Sequence, residues 1–261
     1  MDIDPAMIDS LQVGGEYPID TGPVYTETLL GLKTDWNMMA FGQNIIEPCN
    51  MLSAFFFVLI VGYWGYVIYK NNTKFSEQPF LMTGLPILLI GGVGGTLFHG
   101  LRLYRFFLVM DWMPIMLLCL GASIYFFTKV LKRWWYSLVI IFLSFVLSSG
   151  LFFLMEKQLV SPTAAISTNY TMMGLLILLP VFLWLRRTQF KHGYLIGLAL
   201  GSFLLAVTFR TVDSITPPAL FIFGTHWLWH TFGAIACHLM LAYLWRTDGE
   251  HLGSRQLAVS S

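Results

Sequence analysis

The chain has 261 residues, of which 56% are hydrophobic and only 11% are charged, and its formal net charge is +1. Its uncharged stretches are much longer than the core helices of soluble domains need, so the sequence predicts an integral membrane protein. The near-neutral charge argues against a nucleic-acid partner. Cys49, Cys119 and Cys237 form no CxxC or CxxCH pattern and are expected to be packing residues.

Residues 1–50 are predicted to be an acidic extramembrane segment, because they contain no long apolar run. Seven apolar segments follow within 51–246, and 247–261 are predicted to form a cytoplasmic tail. The short connections predict an all-α fold, a seven-transmembrane helix bundle that forms one domain. The predicted segments are Met51–Tyr69, Pro79–Leu101, Phe106–Thr128, Trp134–Met155, Ile166–Leu185, Gly193–Phe209 and His226–Trp245.

The distribution of lysine and arginine among the loops predicts a topology. Ten of these residues fall on one side of the predicted bundle and five on the other. Positive residues favour the cytoplasmic side, so the N-terminus is predicted outside and the C-terminus in the cytoplasm. This orientation places four polar residues at the outer helix ends and predicts a site near the non-cytoplasmic face: His99, Asp111, His226 and His230.

Histidines are rare inside membrane segments unless they have a function. His226 and His230, in GTHWLWHTFGAIACH, are four residues apart, which puts both imidazoles on one helical face. A third imidazole from His99 would complete a zinc site with an open fourth position for water, as in hydrolytic zinc enzymes. His238, deeper in the same segment, is expected to pack rather than to bind the metal.

Asp111, in FFLVMDWMPIM, is the only carboxylate within the seven segments. Beside zinc it could stay ionised and transfer protons, and the alternative is an ion pair with Arg102 or Arg105. Thr96 is a candidate oxyanion donor, although threonine in an apolar helix commonly bonds its own backbone. The glycines of GGVGGTLFHG favour close helix packing and could leave room for a substrate carbonyl.

These residues resemble the alkaline ceramidases, a family within the wider CREST group of seven-helix membrane hydrolases that also includes the adiponectin and progestin receptors. The matching pieces are TLFHG with His99, MDWMPI with Asp111, HWLWH with His226 and His230, and the entry segment DWNMMAFGQNIIEPCN. The resemblance implies a zinc ion held by the three histidines and assisted by Asp111. It also implies hydrolysis of a lipid substrate from the membrane, in which ceramide is cleaved to a sphingoid base and a fatty acid.

The resemblance further implies a calcium site near the zinc, formed by Asp35, the backbone carbonyl of Trp36 and Glu47. The acidic and amide residues that follow the tryptophan in the family are replaced here by Met38 and Ala40. The implied calcium ligand set is therefore incomplete.

Two further departures from the family lie near His99. The family's serine one turn before the first histidine corresponds to Gly95, and Thr96 is one residue away. The interval from His99 to Asp111 is one residue longer than in the family. The first departure bears on whether the oxyanion role of the family's serine carries over to Thr96.

Several classes of function are compatible with these patterns. A zinc-dependent lipid amidase is the leading hypothesis, and a zinc-containing receptor or lipid-binding protein without efficient turnover is the second. The third is an electron carrier with two histidines on a haem. A retinal-binding protein is excluded, because the seventh segment has no lysine for a Schiff base. Arg210 and Asp213, at the end of the sixth segment, are expected to pair with each other.

Overall fold

The computed structural model describes residues 39–40, 43–45, 47–101, 104–157, 162–213 and 224–259. A short antiparallel strand pair, β1 (Met39–Ala40) and β2 (Gln43–Asn44), precedes the helices. The other regular elements in the described ranges are helices. They are α1 (Pro48–Lys70), α2 (Pro79–Leu101), α3 (Arg105–Leu131), α4 (Trp134–Glu156), α5 (Pro162–Arg187), α6 (Gly193–Val212) and α7 (His226–Val259).

Six of the described helices are long and apolar enough to cross a membrane, namely α1 to α4, α6 and α7. Many of their large apolar side chains are exposed, as Leu59, Phe145 and Leu204 illustrate. Such side chains suit a lipid environment, because lipid tails are as apolar as leucine. The predicted helical class and multi-pass membrane character are thus confirmed. A seventh span through α5 and the orientation of the termini stay predictions.

The chain divides into two compact units, and the first consists of residues 1–115 and 194–261. In its described part, α1 packs along both α2 and α7, and α2 also contacts α7. Trp64, Leu81 and Leu85 form a buried apolar cluster between α1 and α2. Gly92 lets these two helices approach closely, because a Cβ there would lie 2.9 Å from the Cβ of Phe57. This packing brings the end of α2 to the start of α7.

The second unit consists of residues 116–193. Ser123 on α3 donates a hydrogen bond to the carbonyl of Leu176 on α5 at 2.5 Å. The hydroxyls of Thr128 on α3 and Ser137 on α4 lie 3.1 Å apart. These polar contacts tie the three helical segments of the unit together. The predicted site residues that the structure describes all belong to the first unit.

Several helix limits differ from the sequence prediction by one to four residues, and the end of α7 differs by fourteen. α1 begins at Pro48 rather than at Met51, since proline is favoured in the first turn of a helix. α7 continues to Val259, so most of the predicted tail extends the last helix. Residues 247–261 contain no proline, which would have ended the helix.

Candidate metal centre

Three buried imidazoles meet where α2 ends and α7 begins. His99 lies in the last turn of α2, and His226 and His230 lie at the start of α7. Their exposed fractions are 1%, 6% and 3%, so all three are withdrawn from solvent. One ring nitrogen of each lies within 4.8 Å of those of the other two. The three histidines that the sequence predicted as metal ligands are therefore neighbours in the structure.

The spacing of these nitrogens fits a metal ion. The Nε2 atoms of His99 and His230 are 3.1 Å apart. Tetrahedral zinc, with bonds of about 2.0–2.1 Å to imidazole, places its ligand nitrogens about 3.3–3.4 Å from each other. Imidazole is also a ligand that zinc and similar transition metals prefer. The His99–His230 pair is therefore close to the spacing of two zinc ligands, and the three histidines together could hold a metal ion.

Glu47 fixes the orientation of His99. Its Oε2 atom lies 2.6 Å from His99 Nδ1, and both side chains are buried. An ionised carboxylate only accepts hydrogen bonds, so Nδ1 carries the hydrogen and Nε2 keeps its lone pair for a metal. The backbone N–H of Glu47 also donates to the carbonyl of His99 at 3.1 Å. Asn50 Nδ2 supports the carboxylate by donating to Glu47 Oε2 at 3.2 Å.

Asp111 lies beside the histidines. Its Oδ2 atom is 4.0 Å from His99 Nε2. Gly95 provides the space for this carboxylate, because a Cβ at Gly95 would overlap Asp111 Oδ1. Gly94 faces Met110 of α3 in the same way. The space left by these glycines is therefore filled by α3 and Asp111, and the expectation that it accommodates a substrate carbonyl is not met.

The hydroxyl of Thr96 is engaged within its own helix. Thr96 Oγ1 donates to the carbonyl of Gly92 at 2.6 Å. This is the local bond that threonine commonly makes in apolar helices. An oxyanion role for Thr96 would require that bond to break.

Other predicted site residues fall outside the described part of the chain. Asp35 and Trp36 of the implied calcium site do, and so does Arg102, one of the alternative partners of Asp111. Glu47, the third implied calcium ligand, is the residue that contacts His99 Nδ1.

Asp213 and Thr225 set the position of the first turn of α7. Asp213 Oδ1 accepts hydrogen bonds from the backbone N–H groups of Thr225 at 2.6 Å and His226 at 2.9 Å. The Thr225 hydroxyl donates to the carbonyl of Phe209 on α6 at 2.7 Å. Gly224, with φ of 64°, turns the chain into the helix in a conformation that favours glycine. Because the first N–H groups of a helix lack helical partners, a carboxylate there is stabilising.

Arg210, in the last turn of α6, also contacts the first turn of α7. Its Nη1 atom lies 2.7 Å from Nδ1 and 3.3 Å from Nε2 of His226.

His238 packs deeper along α7 against the rings of Tyr63 and Trp64, with centroid distances of 5.5 and 5.7 Å. Its packing agrees with the expectation from the sequence.

The sequence alone does not assign Glu47, Asp213 or Arg210 to the histidines. Glu47 and His99 are 52 residues apart, and no local spacing pattern links them. The available signal is that each of the three is a charged residue next to the end of an apolar segment. Such a residue is often simply solvated at the membrane surface. Only the packing of the helices shows whether it is solvated or contacts the histidines.

Fold and site together define a multi-pass membrane protein with a candidate metal centre of three buried histidines. No protein-family model matches the chain. No curated protein matches it either.

Proposed function

We propose that this protein is a membrane-embedded, zinc-dependent amidase that hydrolyses ceramide-like lipids to a sphingoid base and a fatty acid. The observation that carries the proposal is the cluster of three buried imidazoles with a carboxylate, Asp111, 4.0 Å from one of them. The likeness of four sequence segments to the alkaline ceramidases supports the substrate class.

The histidines and their partners fit the requirements of a hydrolytic zinc site. A zinc ion held there would act as a Lewis acid toward the substrate carbonyl and activate water at neutral pH. Glu47 keeps the Nε2 lone pair of His99 available, and Asp213 holds the turn that carries His226. The chain therefore supplies both the ligands and the groups that orient them.

Asp111 is the proposed proton carrier. Hydrolysis adds water to the amide carbonyl and breaks the C–N bond, so a proton must leave the water and reach the amine. Asp111 is the carboxylate on α3 whose Oδ2 lies 4.0 Å from His99 Nε2. A water and a leaving amine at a metal held by His99 would both lie near this carboxylate. Positioned general acid–base catalysis of this kind contributes about 10²- to 10⁴-fold to a rate.

The depth of the site suits a lipid amide. His99 lies in the last turn of α2 and His226 is the first residue of α7, so the site is at the ends of membrane helices. A lipid amide lies at the same depth, between the headgroup and the acyl chains. We propose that the substrate enters sideways from the outer leaflet with its chains still in the bilayer.

The test is hydrolysis by the purified, zinc-loaded protein of ceramides, other lipid amides and lipid esters, with products identified by mass spectrometry. We expect free fatty acid and sphingoid base from ceramides. His226→Ala should abolish zinc binding and turnover, whereas Asp111→Asn should retain zinc and lose about 10²-fold or more of the rate.

His238→Ala is the matched control, because it removes a histidine from the same helix without touching the cluster. It should retain zinc and activity. Full activity in both His226→Ala and Asp111→Asn would refute the mechanism. Bound zinc without turnover of any of these lipids would favour the receptor or lipid-binding class.

A further inference from the structure

A group of basic residues lies at one end of the second compact unit, residues 116–193. At this end α3 finishes at Leu131, α4 begins at Trp134 and α5 finishes at Arg187. The only acidic residue in the sequence of the unit is Glu156, at the opposite end of α4. The group is called the basic face and consists of Lys129, Lys132, Arg133, Arg186, Arg187 and Lys191.

Two contacts bring the basic residues of α3 and α5 together. Arg187 Nη1 donates a hydrogen bond to the carbonyl of Val130. Lys129 Nζ lies 5.7 Å from the centroid of the Trp184 ring on α5. The hydroxyl contact between α3 and α4 ties the start of α4 to the same end of the unit. The basic face is therefore one positively charged surface built from three helix ends.

A hydrogen-bonded turn holds Lys191 beside the end of α5. The backbone N–H of Lys191 donates to the carbonyl of Thr188 at 3.0 Å, and that of Phe190 donates to the carbonyl of Leu185 at 2.7 Å. These bonds fold residues 188–191 back against the helix instead of letting the chain extend away from it. The backbone thus keeps Lys191 close to the two arginines that end α5.

Three cations of the basic face have no protein partner in the described ranges. Lys132, Arg133 and Arg186 are exposed, and their side chains form no hydrogen bond or ion pair with the described residues. Positive charges that lie near each other repel, so a surface of this kind favours an anionic ligand.

The basic face lies at the depth of lipid headgroups. α3 and α4 are both long and apolar enough to cross a membrane, and the basic residues lie where these two helices meet. Trp134 and Trp135, directly after Arg133, are 63% and 44% exposed. Tryptophan is enriched at the boundary between membrane and water. The anions nearest to the basic face are therefore the phosphates of phospholipids.

We propose that the basic face is a binding site for the phosphate of anionic phospholipid headgroups. Each lysine or arginine at a membrane surface strengthens attraction to anionic lipids about fivefold. The guanidinium groups of Arg133 and Arg186 can also offer paired donors to phosphate oxygens. The positive-inside bias predicts this face in the cytoplasm, and the cytoplasmic leaflet is the one that carries anionic lipids. The proposal depends on residues 116–193 and is independent of the metal centre.

The test counts lipid molecules bound to the purified protein in a neutral detergent by native mass spectrometry. Phosphatidylglycerol is the anionic lipid, and phosphatidylcholine is the zwitterionic one. The double variant Arg133→Gln with Arg186→Gln should weaken phosphatidylglycerol binding about 25-fold and leave phosphatidylcholine binding unchanged. Arg133→Lys with Arg186→Lys keeps both charges and should retain most of the phosphatidylglycerol affinity.

Lys70→Gln with Lys74→Gln is the matched control. It removes two exposed cations that are also predicted on the cytoplasmic side, at the end of α1 in the other compact unit. An acidic group is present there, because the backbone N–H of Lys74 donates to the Glu77 carboxylate at 3.0 Å. This variant should bind phosphatidylglycerol as tightly as the unaltered protein does.

Four results would overturn the proposal. An equal loss in the two glutamine variants would show an effect of net charge alone, and no loss in Arg133→Gln with Arg186→Gln would show that the basic face is not the site. A lysine variant as weak as the glutamine variant would show that charge is not what attracts the lipid. Displacement of phosphatidylglycerol by an equal concentration of inorganic phosphate would assign the basic face to free phosphate.

Discussion

Gly95 is the residue on which the approach of Asp111 to His99 depends. A side chain at this position would occupy the place of Asp111 Oδ1, and Ala54 Cβ would lie only 3.2 Å away on another side. The position of the Asp111 carboxylate therefore depends on the absence of a side chain at Gly95. The space beside Gly95 is occupied by the Asp111 carboxylate. The Thr96 hydroxyl donates to the Gly92 carbonyl of its own helix.

Gly95→Ala should displace the Asp111 carboxylate while leaving the three histidines in place. A misplacement of about 1 Å in a catalytic group can cost about 10²-fold in rate, so we expect a loss of that size in lipid amide hydrolysis with zinc content unchanged. Gly62→Ala is the control, because no atom lies within 4 Å of a Cβ at Gly62. Equal activity of the two variants would contradict the role assigned to Gly95.

Glu47→Gln should weaken zinc binding about 10- to 100-fold, the usual effect of removing a partner that orients a histidine ligand. Glutamine can keep a hydrogen bond to His99 Nδ1, but it loses the negative charge that strengthens the imidazole as a ligand. The measurement is a zinc titration of the purified protein. Glu77→Gln is the matched substitution, since the whole of α2 separates Glu77 from His99. The same zinc affinity in both variants would show that the Glu47 charge is irrelevant to the metal.

Helix α7 carries two of the three histidines on one face, and its start is held by α6. Asp213 accepts from two backbone N–H groups of the first turn, and Thr225 bonds the carbonyl of Phe209. These contacts fix the height and rotation of the helix, because both imidazoles lie within its first turns. A helix held only by apolar side chains in lipid could rotate with less resistance, since lipid and side chains are similarly apolar.

Asp213→Ala should reduce stability by about 1 kcal/mol, a typical loss for a helix N-terminal acceptor, and should also weaken zinc binding. Asp213→Asn keeps an oxygen that can accept from Thr225 and His226, so it should restore most of both properties. The measurements are thermal unfolding in detergent and zinc titration. If the asparagine variant were as impaired as the alanine variant, the hydrogen bonds would not be what positions α7.

At the scale of the whole molecule, the site draws on distant parts of the chain. His99 and His230 are 131 residues apart and yet contact each other through their ring nitrogens. Every described site residue belongs to the compact unit formed by residues 1–115 and 194–261. Residues 116–193 contain the helix whose membrane crossing decides whether the protein has six or seven spans. That helix is α5, between Lys157 and Lys191.

A crossing by α5 should place Lys157 and Lys191 on opposite faces of the membrane. The test replaces Cys49, Cys119 and Cys237 by alanine and then introduces Lys157→Cys or Lys191→Cys. An impermeant maleimide applied to intact cells should label only the Lys157→Cys variant, in line with the positive-inside prediction. Lys74→Cys is the control for the cytoplasmic side and should react only after permeabilisation. Labelling of the Lys157 and Lys191 variants from one side would show that α5 does not cross.

Composition and periodicity by themselves predicted the membrane class, the helical segments and the three histidines of the candidate metal centre. Apolar runs of membrane length permit little other than helices, because backbone groups in lipid must bond within their own segment. A histidine pair at helical spacing also faces one direction without any tertiary information. These features depend on local geometry, so they can be derived from the order of residues.

The tertiary structure decided which charged residues at the helix ends belong to the site. Glu47, Asp213 and Arg210 are ordinary interfacial residues in the sequence, and only the packing of α1, α2, α6 and α7 brings them to the histidines. The same packing filled the space beside Gly95 with Asp111. Contacts between segments far apart in the chain depend on how the helices pack against each other. The spacing of residues within a segment does not predict that packing.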